Sequence, residues 1–133
     1  MKTLVAAATL VGVLTVYIDP FVGRPLYCDR GNGMIYADNL AFIALPVGEF
    51  ESGRAVCGDQ VRVTVNGQPF YAQALDAGPL EKYRVTQFGD VPIVADVPKH
   101  LWQFAPDISG VGSVFNESAF NRAADDCAMG HLR

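Results

Sequence analysis

A β-hairpin is the sequence feature that most constrains the fold of this chain. Residues 61–65 alternate strictly between apolar and polar side chains, and the return run 70–75 follows the turn pair Asn66-Gly67. Alternation of this kind on both sides of Asn-Gly is the strongest short-range signal for a hairpin. The sequence therefore predicts two antiparallel strands with one face turned toward a core.

Two acidic residues end predicted strands near this hairpin. Asp76 closes the second strand, directly before an Ala-Gly-Pro turn that can leave its carboxylate at the rim of a cleft. Asp96 closes the apolar run 91–95 in the same way. We treat the two acids as the candidate site. Two structural roles stay open: Asp76 could accept N–H bonds from its own turn, and Asp96 could cap a helix that begins near Pro98.

The composition indicates one globular domain and excludes some partners. The chain has 133 residues, of which half are hydrophobic and only 18% are charged. Its net charge is −4 and its Lys and Arg residues form no basic run, which argues against nucleic acid as a partner. No motif indicates a cofactor, and the three cysteines include no CxxC pair, which argues against a zinc site.

The cysteines allow two interpretations. In an exported protein, Cys28, Cys57 and Cys127 would form one disulfide and leave one thiol. Cys28–Cys57 is the preferred pair, because it would staple the long loop between the first strand and the hairpin. Closing that loop would contribute about 3–4 kcal/mol in the chain-entropy treatment. The alternative is three buried thiols in a reducing compartment.

The N-terminal segment also has two interpretations. After Met1 and Lys2, residues 3–18 carry no charge. This run is shorter than the roughly 20 residues that span a membrane, but it is long enough for the apolar part of a signal peptide, although no clear cleavage site follows. Alternatively, residues 13–18 are a first buried strand. We predict a targeting segment or buried arm over residues 1–12, a domain over 13–115 and a tail over 116–133.

The remaining pieces predict a mainly β fold. About six short strands are separated by turns rich in Gly and Pro, which points to a small closed barrel with one or two short helices. Residues 47–55 are expected to be a surface loop. Residues 97–104 are expected to form a short helix, since Pro98 suits a first helical turn. A second short helix is expected in the C-terminal tail.

The order of these pieces matches a known pattern. The chain carries, in sequence, Thr15-Val16-Tyr17, Ala44-Leu45-Pro46, Cys57-Gly58-Asp59, Asp76-Ala77-Gly78-Pro79 and Ala95-Asp96-Val97-Pro98. Over about residues 13–115 it resembles the six-stranded double-psi β-barrel family, which includes rare lipoprotein A proteins, expansin N-terminal domains and barwin-like proteins. The resemblance implies this fold.

The resemblance also implies a function. Such domains bind β-linked polysaccharide in an open groove, and related lytic transglycosylases cleave peptidoglycan with a single Asp as general acid and base. On the matching positions Asp76 would be the acid and Asp96 its neighbour, and Tyr17 and Tyr36 would contact the sugar. Burial beside a second carboxylate raises the pKa of an acid, as protonation of a glycosidic oxygen requires.

Two departures leave the enzymatic step open. The rare lipoprotein A pattern has a His shortly before the Leu-Pro turn, but residues 41–44 contain none, and Ala77 replaces the Arg that usually follows the Asp. Expansin-like domains bind glycans without demonstrable hydrolysis. We therefore expect an exported, cell-wall-associated domain that binds peptidoglycan or a related β-glycan, either cleaving it or not. The alternative is a non-catalytic assembly subunit of a particle or filament, whose apolar N-terminal segment packs against a protein partner.

Overall fold

Strands dominate the computed structural model, which describes residues 8–16, 23–29, 40–78, 84–86, 89–101 and 109–130. Within these ranges, two α-helices and one short 3-10 helix (Lys99–Leu101) accompany the strands. The strands are β1 (Thr9–Val16), β2 (Phe42–Pro46), β3 (Asp59–Val65), β4 (Gln68–Gly78), β5 (Arg84–Thr86), β6 (Gly89–Val91), β7 (Ile93–Val97) and β8 (Ser109–Asn116), and the α-helices are α1 (Val47–Glu51) and α2 (Glu117–Gly130).

Six of the strands close into a barrel in the order β1-β7-β2-β4-β3-β8. The pairs β1–β7 and β2–β4 are parallel, and the other four contacts around the barrel are antiparallel. Strands β5 and β6 form a separate two-stranded sheet. The predicted mainly β fold with a small closed barrel is confirmed.

The predicted hairpin is β3 and β4. Asn66 and Gly67 join the strands with φ angles of 51° and 79°. Positive φ at both central residues fits the type I′ turn, whose twist matches that of the flanking strands. The alternation then sends every second side chain of the hairpin into the barrel, where Val61, Val63, Val65, Ala72 and Ala74 are buried.

The core has two parts. Inside the barrel, the hairpin residues meet wholly buried side chains from the other strands, such as Leu14 and Val97. Outside it, Leu26 and Cys28 pack with Phe42 and Leu75, so that the segment 23–29 covers one flank of β2 and β4. Fully burying side chains of this size contributes about 1.5–3 kcal/mol each, so the second cluster anchors this segment firmly.

Two glycines allow the strands to approach closely. Gly12 on β1 lies opposite Gly112 on β8. A Cβ atom on Gly12 would collide with the backbone oxygen of Pro92, and one on Gly112 would collide with the backbone oxygen of Thr64. The barrel can close at this place because neither residue carries a side chain.

Helix α2 is attached to the barrel by a polar cluster. The Asn116 side-chain oxygen accepts the N–H of Ala119 at 2.9 Å and caps the helix. Arg122 donates to both carboxylate oxygens of the buried Asp59, at 2.7 and 2.9 Å, and the Asn116 amide donates to Asp59 at 2.9 Å. Burial alone would raise the pKa of Asp59, but these hydrogen bonds and that from the N–H of Val56 lower it below its usual range.

The structure corrects several boundaries. Strand β1 begins at Thr9, four residues before the predicted start of the first strand at residue 13. The expected loop 47–55 contains α1, whose Glu49 is buried and receives a hydrogen bond from Arg54 at 2.6 Å. Val97 was expected to begin a helix, but it ends β7 because it is wholly buried opposite Val16.

Other expectations lie partly or wholly outside the described residues. Of the expected helix over residues 97–104, the structure describes the 3-10 helix Lys99–Leu101, and residues 102–104 are outside the described part. Tyr17 and Tyr36 also lie outside it. Among the described residues, no helix is long and apolar enough to cross a membrane.

Candidate functional site

Strand β2 brings the two predicted acids together. Asp76 on β4 and Asp96 on β7 both lie opposite Ala44 of β2, which runs between them. Two strand spacings separate their backbones, which corresponds to about 10 Å. Both side chains are half-buried. The structure thus places side by side two acids that are twenty residues apart in the sequence.

A register shift on each side of the site sets these positions. Between β2 and β4, Ala74 pairs with Ile43 but Asp76 pairs with Ala44, so Leu75 is skipped. Between β1 and β7, the register shifts in the same way and skips Val94. An extra residue of this kind bends a strand and re-aims the side chains that follow it. Each acid therefore comes shortly after a register shift, and the alternation of apolar and polar residues in β4 and β7 does not predict these shifts.

Asp96 is held by the first strand. It lies opposite Thr15 of β1, and the Thr15 hydroxyl donates to its Oδ1 at 3.0 Å. The pKa of Asp96 is raised to about 6, chiefly by burial and also by the nearby charge of Asp76, while the hydrogen bonds from the Thr15 hydroxyl and the Val97 N–H act in the opposite direction. Asp96 therefore retains its proton to a much higher pH than an ordinary aspartate does.

Asp76 is held by the segment 23–29. Its Oδ1 accepts the backbone N–H of Tyr27 at 3.0 Å, so an N–H from a distant part of the chain binds it. The next residue, Cys28, donates its N–H to Leu75 at 3.0 Å and forms a disulfide with Cys57. The predicted disulfide is confirmed, and it fixes the segment that contacts Asp76.

The sequence predicted the two acids as candidate site residues but did not indicate the residues that bind them. Thr15 stood in one of the matching stretches, yet no local signal indicates that β1 pairs with β7. Tyr27 directly precedes Cys28, whose disulfide was predicted. That position was the one feature of the sequence that could have placed Tyr27 near β4. Among the described residues, no group of three or more His, Cys, Asp or Glu could hold a metal ion.

The closed six-stranded barrel, with its strand order and its two parallel strand pairs, fits a double-psi β-barrel. The fold that the resemblance implied is confirmed by structural comparison. The chain is similar to an expansin of Clavibacter michiganensis in its apo form, with 19% identity and a TM-score of 0.53, over 80% of this chain and 48% of that one. A mutant of that expansin in complex with cellohexaose gives 20% identity and a TM-score of 0.49 over the same shares.

The similarity to the apo expansin structure supports the fold and says nothing about the function of this chain. The chain spans about half the length of the expansin structures that it matches. No protein-family model and no curated protein matches the sequence.

Proposed function

We propose that this chain is a cell-wall-associated domain that binds peptidoglycan or a related β-glycan beside Asp76 and Asp96 and cleaves it there. One observation carries the proposal: the two carboxyl groups flank Ala44, and the charge of one raises the pKa of the other. A backbone spacing of about 10 Å allows carboxyl separations of roughly 5–9.5 Å, which paired acids use in glycoside cleavage.

The raised pKa favours a particular division of roles. With a pKa of about 6, Asp96 holds a proton that it can donate to the glycosidic oxygen as the bond breaks. The resemblance to double-psi β-barrels implied that Asp76 is the acid. We now propose Asp96 for this role, and Asp76 as the charged neighbour that stabilises positive charge on the sugar ring.

The disulfide supports an extracytoplasmic location. Cys28 and Cys57 are bonded, and disulfides persist mainly in oxidising compartments. The cell wall is such an environment, and it also supplies the proposed substrate. The proposed location is therefore consistent with the proposed substrate.

Two measurements test the binding and the cleavage separately. Binding is tested by sedimentation with insoluble peptidoglycan and insoluble cellulose, and cleavage by mass spectrometry of soluble fragments between pH 4 and 8. We expect wild type to sediment with at least one polymer and to release fragments, with a rate that falls above about pH 6. Asp96→Asn should still sediment but release none. Absence of sedimentation would refute binding, and equal release by Asp96→Asn would refute the catalytic role.

A second candidate function is that of an assembly subunit. Val11 on β1 is 65% exposed and Val111 on β8 is 36% exposed, and they lie near each other on paired strands. In this alternative, the two valines would form part of a contact with another protein. Sedimentation velocity would test self-assembly: this alternative predicts oligomers that Val11→Ser weakens, whereas a monomer at high concentration would contradict self-assembly.

A further inference from the structure

Tyr27 is an aromatic residue fixed beside the acid pair. Its N–H donates to Asp76 at 3.0 Å, and its side chain is 40% exposed. This hydrogen bond brings the backbone of Tyr27 to the Asp76 carboxylate, and the side chain of Tyr27 extends from that backbone. Tyr27 is thus a partly exposed aromatic residue whose backbone contacts Asp76.

The Tyr27 ring is held by a contact with Phe50, and the backbone of Tyr27 is held by its two buried neighbours. It packs on Phe50, with 5.0 Å between ring centroids and an interplanar angle of 32°. Its two neighbours in the chain, Leu26 and Cys28, are buried in the second core cluster, and the disulfide joins Cys28 to Cys57. An aromatic surface that is already ordered loses little conformational entropy when a ligand covers it.

We propose that Tyr27 is the sugar-stacking platform of this site and that its ligand is an uncharged β-linked glycan chain. This inference rests on the proposed function and adds a binding residue and a ligand class to it. The apolar face of a pyranose ring would cover the Tyr27 ring, while its hydroxyl groups bond to the adjacent carboxyl groups. Asp76 and Asp96 would repel a polymer that carries carboxylates of its own.

Tyr71 provides a matched control. It is also a tyrosine on the surface, 52% exposed, and it lies on β4, as Asp76 does. Asp76 lies five positions after Tyr71 along this strand, which corresponds to about 17 Å. The chain therefore contains a similarly exposed ring that is remote from the acid pair.

The test is calorimetric titration with cellohexaose, with chitohexaose and with carboxymethylated cellohexaose at pH 7. We expect wild type to bind at least one of the two neutral chains and to bind the carboxymethylated chain more weakly than cellohexaose. Tyr27→Ala should weaken neutral binding about tenfold, as loss of a central aromatic contact does. Tyr27→Phe, which keeps the ring, and Tyr71→Ala should bind as wild type does.

The substitutions are chosen so that failure is informative. All Tyr27 variants keep the backbone N–H that binds Asp76, and Tyr27→Leu, which keeps apolar contact with Phe50 but lacks the flat ring, replaces Tyr27→Ala if the latter unfolds. Unchanged affinity in Tyr27→Leu or Tyr27→Ala would overturn the platform. If wild type sediments with peptidoglycan but binds neither neutral chain, or prefers the carboxymethylated one, the ligand class is wrong while the proposed function stands.

Discussion

Asp76 and Asp96 lie on the two strands that flank β2, each directly opposite Ala44. The first is bound by an N–H from the disulfide-anchored segment, and the second by a hydroxyl from β1. Each acid is thus oriented by a different distant element. The positions of both acids therefore depend on closure of the barrel. Substitutions at the acids and at the residues that hold the fold test function and stability separately.

Asp96→Asn should stabilise the protein at neutral pH. Because the folded pKa of about 6 lies above the ordinary 3.8, the favourable contribution of Asp96 is complete below about pH 3.8 and is lost as the pH rises through 6. The amide oxygen can still accept the Thr15 hydroxyl. We expect a gain in unfolding free energy of about 1–3 kcal/mol at pH 7 and little difference near pH 3.5, measured by urea denaturation.

Lower stability of Asp96→Asn at pH 7 would show that the carboxylate is a structural group. The control is Asp126→Asn, an exposed position on α2 that should change the unfolding free energy by less than about 0.5 kcal/mol.

Asp59→Asn should have the opposite effect. The lowered folded pKa means that the contribution of Asp59 is present above pH 3.8 and is lost as the pH falls below that value. The variant weakens the bonds from Arg122 and Asn116, and since Arg122 is partly exposed we expect a loss of about 1–3 kcal/mol at pH 7. Urea denaturation of Asp125→Asn, an exposed acid on the same helix, gives the control; equal stability of the two variants would contradict the anchoring of α2.

Removal of the disulfide should loosen the segment beside Asp76. We expect the double substitution Cys28→Ser and Cys57→Ser to lower the unfolding free energy by about 3–4 kcal/mol, because the loop of about thirty residues is no longer closed. Hydrogen exchange of the Tyr27 amide should accelerate at the same time. A reductant should reproduce both effects in wild type and have none in the variant, whereas an unchanged Tyr27 exchange rate would show that the core cluster holds the segment by itself.

Gly112→Ala should damage the barrel itself. The added methyl group meets the Thr64 carbonyl oxygen on the adjacent strand, so the strands must separate, and we expect a loss of about 2–3 kcal/mol or more. Gly48→Ala is the control: the site on α1 is open, and alanine there should stabilise the helix by about 0.5–1 kcal/mol. Thermal unfolding of both variants measures the contrast, and similar melting temperatures would contradict the close approach of β8 and β3.

Local signals predicted the parts of the fold that local interactions determine. The hairpin followed from alternation around Asn66-Gly67, and the two acids followed from strand ends. The position of Asp76 opposite Ala44 did not follow from the local sequence, because it depends on a register shift that leaves Leu75 without a partner on β2. Leu75 is buried against the segment 23–29, which lies almost fifty positions earlier. Thr15 was likewise unpredictable, because parallel pairing between β1 and β7 depends on closure of the whole barrel.

The extent of the two helices was unpredictable for related reasons. Helix α1 forms in an expected loop, and its Phe50 packs on the ring of Tyr27, which is a tertiary contact that the local sequence does not indicate. Helix α2 extends over fourteen residues because Asn116 caps it and Asp59 binds Arg122 in its second turn, and Asp59 lies on a strand more than fifty residues away.

The central claim is that the two acids form one electrostatically coupled site. The most direct test is a carbon-13 NMR titration of the Asp96 side-chain carboxyl group in wild type and in Asp76→Asn, whose amide oxygen can still accept the Tyr27 N–H. We predict a pKa of about 6 for Asp96 in wild type and a lower pKa in the variant, because the charge of Asp76 is gone. An Asp96 that titrates like an ordinary aspartate in wild type, or at the same pH in both proteins, would contradict the account.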